Sequence, residues 1–376
     1  MNHALVCFAI VGVCLTALTN LAVADDPADH RGVQDRPIQL GTSGGNLTSL
    51  VKRMGGCCSG TLGALIQSST SNLFILSNYH VFAGPKGAIV GDPITQPGLI
   101  DGDCALGQSN VVANLTAGVK VLFGRNLNHA DAAIASVVTG DVDTTGSILG
   151  IGQPGSQIVL PTLGLGVKKS GRTSGVTQGT VTAVDVTVVI EYVKSCGSSH
   201  VRKATFVNQI IITSSFANFG QGGDSGSLVV EDVDTCPGVV GLLFAGSQGS
   251  VVANPITDVL AALDASMGGV GLSIVGCPAG GGAELNSIAA PVDTRRSGLA
   301  ASVFARGSKA KSKHEDALLQ VTGVVGCGVG RSRQNPSESS VEIFVEKDSS
   351  ALRQHLPSSI DGVPCQVVET GVFRAY

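Results

Sequence analysis

The chain has 376 residues, 43% of them apolar and 14% charged, with a net charge of −4. That is enough apolar material for the core of one large domain or two average ones, and too apolar a balance for general disorder. Lys and Arg form no long run, so the footprint of a nucleic-acid-binding or membrane-surface protein is missing.

The first residues run into an apolar stretch, Ala4–Leu15, and then to small residues at Ala22-Val23-Ala24 before Asp25. This is the pattern of a signal peptide over 1–24, too short for a comfortable span, although its leading residues hold only His3 in place of Lys or Arg. An uncleaved anchor is the competing reading. The expected destination is the periplasm or the exterior, with no membrane attachment of the mature chain. Of ten cysteines, Cys7 and Cys14 leave with the leader. Cys57, Cys58, Cys104, Cys196, Cys236, Cys277, Cys327 and Cys365 remain, an even set in an exported chain, which permits disulfides. The pairings expected are Cys196–Cys236, Cys327–Cys365, and one of Cys57 or Cys58 with Cys104. Free buried thiols are the alternative. No metal-ligand spacing occurs, and neither metal nor organic cofactor is implied.

Gly (51 residues), with abundant Val and Thr, points to an all-β fold of short strands and tight turns. After a polar stretch over 25–36, Ile38–Gly41 opens the pattern. Cys58–Ile66 and Leu73–Ser77 read as strands, and the second runs into Asn78-Tyr79-His80-Val81. A histidine in such a place is ordinarily structural. Farther on, Asp131 stands at the entrance of an apolar strand, Ala132–Val137, where its charge is costly without a partner such as an imidazole. Asp101, Asp103, Asp141 and Asp143 compete as ordinary turn acids, and His129 competes with His80. From about 145 to 260, β-branched runs at Val181–Ile190, Ile210–Thr213, Leu228–Val230, Val239–Phe244 and Val251–Val252 alternate with Gly and polar residues.

Within that second half lies Gln221-Gly222-Gly223-Asp224-Ser225-Gly226-Ser227, just ahead of an apolar strand. Its glycines permit left-handed backbone and free consecutive N–H groups to converge on one point, as an acyl-transfer oxyanion requires. A serine hydroxyl there needs a base and an acid from elsewhere in the chain. The bland alternative is a Gly-rich turn carrying an ordinary serine. The two halves read as similar β units with a site in the cleft between them.

The order His80…Asp131…Ser225 and the texts Leu-Ser-Asn-Tyr-His-Val (76–81), Asp-Ala-Ala-Ile (131–134) and Gly-Asp-Ser-Gly (223–226) resemble the chymotrypsin-like serine peptidases of the bacterial trypsin-like type. Subtilisins and α/β-hydrolases carry their triads in other orders. The resemblance implies two six-stranded antiparallel β-barrels over residues 37–275. It implies Ser225 as nucleophile, His80 as base, Asp131 as its orienting acid, and the amides of Gly223 and Ser225 as oxyanion hole. Phe219, Gly220, Phe244, Ala245 and Gly246 would bind a protein or peptide substrate. An uncharged Phe219 at the pocket floor favours a small or apolar residue before the cleaved bond. No Ile-Val-Gly-Gly activation text is present, which puts insertion of a new N-terminus beside Asp224 in doubt.

Beyond Cys277, residues 278–312 read as a solvated linker, with a short helix about Gly298–Phe304. Residues 313–376 read as a small α+β domain: helix His314–Gln320, strands Val321–Val329 and Val341–Val345, helix Ser349–His355 and strand Pro364–Thr370. Two alternatives to a serine endopeptidase stand: an inactive envelope binding protein on the same fold, and a scaffold whose C-terminal domain does the work. The sequence leaves oligomeric state open.

Overall fold

A computed structural model describes residues 26, 29–49, 57–83, 87, 89–193, 199–215, 218–278 and 299–376; the segment 1–24, read from the sequence as a signal peptide, and Cys196 lie outside them. The fold is all-β, two barrels followed by a small C-terminal part. The first sheet runs, in spatial order, through Ser273–Ile274, Ala64–Gln67, Leu73–Ser77, Ala132–Val137, Asn110–Val119, Pro93–Gln96, Thr42–Asn46 and Gly60–Leu62. Only Gly63 separates Gly60–Leu62 from Ala64–Gln67, so the sheet curls back on itself through one segment.

In the second sheet Gly175–Val193 pairs with Gly166–Gly171 and with Val201–Thr213. Leu228–Glu231, Val239–Gly246 and Ser250–Pro255 complete the circuit, giving the six-stranded barrel that the sequence predicts. Alternation along Val186–Tyr192 buries Val186, Val188, Ile190 and Tyr192 on one face.

Strand Gly175–Val193 is 19 residues long, enough to serve the barrel and the C-terminal part together. Its first residues pair with Gly166–Gly171; along the same edge Ala183–Val188 then take Val324–Arg331, and Ile190–Glu191 take Phe373–Arg374. Through this edge Ser339–Val345, Val363–Glu369 and Ser359–Ile360 continue the barrel's sheet outward.

Four α-helices are present among the described residues: α1 (Tyr79–Phe82), α2 (Ile256–Ser266), α3 (Ala301–Leu319) and α4 (Ser350–Arg353). Helix α2 buries Ile256, Val259, Leu260 and Leu263, a 3–4 spacing that makes one apolar stripe. It packs on strands of both barrels, and each side chain so buried contributes about 1.5–3 kcal/mol.

The structure corrects three expectations from the sequence. The basic stretch assigned to a solvated linker is helical from Ala301, one continuous helix instead of two short ones. Its Lys311 is 3% exposed, held by Asp185 (3.1 Å), Glu315 (2.8 Å) and Thr187 Oγ1 (3.0 Å). Cys236 is bonded to Cys277 and not to Cys196. Cys327 and Cys365 are free thiols, because strand Ser339–Val345 runs between the strands that carry them. Burial raises their pKa values to about 12 and about 11, so both remain protonated at neutral pH. The expected bond to Cys104 is present, from Cys57.

Candidate active site

His80 stands on α1, in the first turn after strand Leu73–Ser77. Its Nδ1 donates to Asp131 Oδ2 at 2.6 Å, and its backbone N–H donates to Asp131 Oδ1 at 3.1 Å. Both carboxylate oxygens therefore accept a hydrogen bond from His80. Asp131 is fully buried at the entrance of strand Ala132–Val137, and the chain around it is pinned on both sides: Asn78 Nδ2 donates to its carbonyl at 2.7 Å, and its N–H donates to Asn254 Oδ1 at 3.0 Å. Asn254 belongs to the second barrel, so the acid is fixed across the junction. Tyr192, also from the second barrel, donates its phenol hydrogen to Asp131 Oδ2 at 2.7 Å.

Burial alone would push the Asp131 carboxyl up. The charge of His80, with the hydrogen bonds of His80 and Tyr192, outweighs it and holds the carboxyl below its ordinary value. Burial likewise works against an imidazolium, but the Asp131 charge, the Asp131 hydrogen bond and the Tyr376 carbonyl hold His80 above the usual histidine value. Of the rivals, His129 is exposed and offers only its carbonyl, to Gln209. Asp101 is taken by Arg172 (2.6 Å), and Asp141 by Arg36 (2.6 Å).

The Ser225 loop is set by Asp224, which lies inside the protein. Its carboxylate accepts from the N–H groups of Gln221, Thr173 and Ser174 (2.8, 2.8 and 3.2 Å) and from Ser174 Oγ (2.6 Å), and lies 3.5 Å from the buried Lys169 ammonium. Lys169 supplies from within the chain the cation that the missing activation text raises as a question.

Thr173 Oγ1 binds the Gly222 carbonyl (2.7 Å), and Ser227 Oγ binds that of Asp224 (2.6 Å). In a trans peptide the N–H points opposite its C=O, so these bonds turn the N–H groups of Gly223 and Ser225 the other way. Gly223 adopts φ +100°, which a side chain would strain. Ser225 Oγ donates to the Phe244 carbonyl at 3.0 Å, and the Ser225 carbonyl accepts from Thr61 N of the first barrel at 2.8 Å.

His80 Nε2 faces neither Ser225 Oγ nor open space, but the Tyr376 carbonyl oxygen at 3.0 Å. Tyr376 in turn donates its N–H to the Phe244 carbonyl at 3.3 Å, the oxygen that Ser225 Oγ also uses. Its Oη donates to the Gly220 carbonyl at 3.1 Å. Gly220, Phe244, Ala245 and Gly246, all marked by the sequence as substrate-binding, thus meet the segment Phe373–Tyr376. Phe219 differs: its side chain is 1% exposed and belongs to the barrel core with Val251 and Leu243, and is not an exposed pocket floor. Sequence reasoning missed Tyr192, Lys169, Asn254 and Tyr376; only Tyr192, in the run of β-branched residues, broke a local pattern.

His80 and Asp131 are bonded to each other at the junction of the two β-barrels, Ser225 lies on the Phe244 carbonyl, and the double-barrel fold is the one that the sequence resemblance implies. No family model matches the chain, and no curated protein does. Among solved structures it is similar to a glutamic-acid-specific serine protease, at 20% identity and TM-score 0.41, over 63% of this chain and 100% of the other. It is similar also to the Nocardiopsis protease NAPase (16%, TM-score 0.39, 59% and 94%) and to Cellulomonas bogoriensis chymotrypsin (16%, TM-score 0.38, 64% and 99%).

Proposed function

We propose that the chain is a serine endopeptidase acting through Ser225, His80 and Asp131. The supporting observation is the held imidazole: Asp131 fixes Nδ1, and Nε2 is presented to a carbonyl whose own residue is bonded to the strand beside Ser225. Rotation of the Ser225 side chain about Cα–Cβ brings Oγ from the Phe244 carbonyl toward Nε2. His80 then takes the hydroxyl proton as Oγ attacks the carbonyl carbon of a peptide bond. The amides of Gly223 and Ser225 receive the oxyanion, and Asp131 stabilises the imidazolium without being protonated. His80 passes the proton to the leaving amine as the C–N bond breaks. Water enters, His80 removes its proton, the ester is hydrolysed, and the proton returns to Oγ.

Disulfides Cys57–Cys104 and Cys236–Cys277 suit an oxidising compartment, in keeping with export. The test is covalent labelling by a fluorophosphonate probe. Labelling should fall on Ser225 and vanish in Ser225→Ala and His80→Ala. A folded wild-type chain that neither takes the probe nor cleaves a peptide library would leave the inactive binding protein as the better description.

A further inference from the structure

We propose that Phe373–Tyr376 is a built-in occupant of the acyl side of the substrate groove, and that the preferred substrate is an extended peptide with tyrosine immediately before the cleaved bond. This rests on the peptidase reading and goes beyond it in naming both the substrate class and a restraint on the site.

The segment lies as an added antiparallel strand on Val239–Gly246, with Ala375 opposite Ala245 and Arg374 opposite Gly246. Main-chain pairing of this kind recognises any extended peptide, and pockets for side chains select among them. Here the backbone runs into the catalytic centre: Tyr376 N–H on the Phe244 carbonyl, Tyr376 carbonyl on His80 Nε2. A residue so placed lies on the acyl side of the groove beside Ser225, with its carbonyl turned to the imidazole.

The side chain shows what the pocket accepts. A Cβ at Gly246 would come within 1.8 Å of Tyr376 Oη, and one at Gly220 within 3.4 Å of the ring, so the absence of a side chain at Gly246, and the tight approach at Gly220, make the room that the aromatic ring fills. The hydroxyl at its end donates to the Gly220 carbonyl at 3.1 Å. Phenylalanine fills the slot and leaves that acceptor unpaired, which is about a fivefold loss. Alanine leaves most of the slot empty, which is about a hundredfold loss.

What holds the strand in place is upstream of the site. Phe373 is fully buried, meets Phe344 edge to face at 6.4 Å, and pairs in register with Ile190. Arg374 Nε lies 3.4 Å from Glu191. The C-terminal strands thus tether the occupant, and a tethered peptide competes at a millimolar effective concentration or above.

Full-length chain and the variant Tyr376→Ala, which leaves Phe373 in place, are assayed on acetyl-Phe-Arg-Ala-X-aminomethylcoumarin with X as Tyr, Phe, Ala, Glu and Lys. Expected are a rise of about tenfold or more in fluorophosphonate labelling of Ser225 in Tyr376→Ala, and turnover in the order Tyr, Phe, Ala. Gly246→Ala should remove the preference for Tyr. Labelling of Tyr376→Ala no faster than that of the parent, or a preference for Ala, Glu or Lys, overturns the proposal. Calorimetry of acetyl-Phe-Arg-Ala-Tyr on the double variant Ser225→Ala/Tyr376→Ala separates the two claims. Binding there, without binding of acetyl-Phe-Arg-Ala-Ala, supports the groove assignment even in a chain that turns over nothing, and that inactivity then ends only the peptidase reading. No binding of the tyrosyl peptide overturns the groove assignment.

Discussion

Tyr192 and His80 donate to the same oxygen of Asp131, at 2.7 and 2.6 Å, from opposite barrels, and their rings meet edge to face at 5.7 Å. The acid that orients the imidazole is thereby oriented itself. Because one lone-pair site is already filled by the phenol, Asp131 cannot swing about its Cβ–Cγ bond without giving up two hydrogen bonds.

Tyr192→Phe keeps the ring and removes the donor. A hydrogen bond to a carboxylate at this depth is about 1.5–3 kcal/mol, so kcat/KM on a good peptide should fall roughly tenfold to a hundredfold. Loss of the donor also makes the carboxylate more basic, which raises His80 further, so the acid limb of the pH profile should move to higher pH. A variant with full activity and an unmoved limb would reduce Tyr192 to a packing residue.

The sign of the pH dependence comes from the pair. His80 is held above 6.5, so the base is protonated, and activity lost, as pH falls through a limb lying above that value. Tyr376→Ala loosens the segment whose main-chain carbonyl is one of the contacts that raise His80, so wherever that carbonyl leaves the imidazole the limb should move down. Stability behaves differently. The His80 contribution is complete below 6.5 and is lost as pH rises through the folded value; the Asp131 contribution is complete above 3.8 and is lost as pH falls through its own lowered value. The difference in Tm between Ser225→Ala and Ser225→Ala/His80→Gln should therefore be greatest between those two values and shrink on either side.

The barrels were legible in the sequence because their signals are local: β-branched runs, glycine turns, and three short texts around His80, Asp131 and Ser225. What escaped depends on contacts between distant segments. Lys169 reads as one of two lysines in an ordinary strand, yet it is buried because Asp224, more than fifty residues later, lies against it. Lys311 sits in a stretch whose composition says solvent, yet it is buried because Asp185 and Thr187 on the barrel strand, with Glu315 on its own helix, hold its ammonium. Phe373–Tyr376 carries no strand pattern of its own; it becomes a strand because Ile190–Glu191 and Ala245–Gly246 offer it unpaired edges.

Lys169→Met should damage the serine loop more than any surface change. It leaves the Asp224 carboxylate buried with its N–H and hydroxyl donors but no cation, and breaking a buried pair from one side costs about 3–5 kcal/mol. Denaturant unfolding should show that loss, with slower fluorophosphonate labelling. Lys169→Met/Asp224→Asn, which removes the orphaned charge, should recover part of the stability. Failure to recover any would place the damage elsewhere than in the charge.

Lys311→Met should loosen the C-terminal part with the opposite effect on the site. Lys311 ties α3 to Asp185 of the long barrel strand, but Asp185 and Glu315 are each about a quarter exposed, so water takes up part of what the ammonium gave. The loss is accordingly about 1–3 kcal/mol, below that of a fully enclosed pair. Because α3 packs on the strands that carry Phe373–Tyr376 toward the groove, weaker docking frees the tethered strand more often, and labelling of Ser225 should quicken while Tm falls. Lys169→Met and Lys311→Met then lower stability alike and move reactivity in opposite directions, a contrast that general unfolding cannot produce.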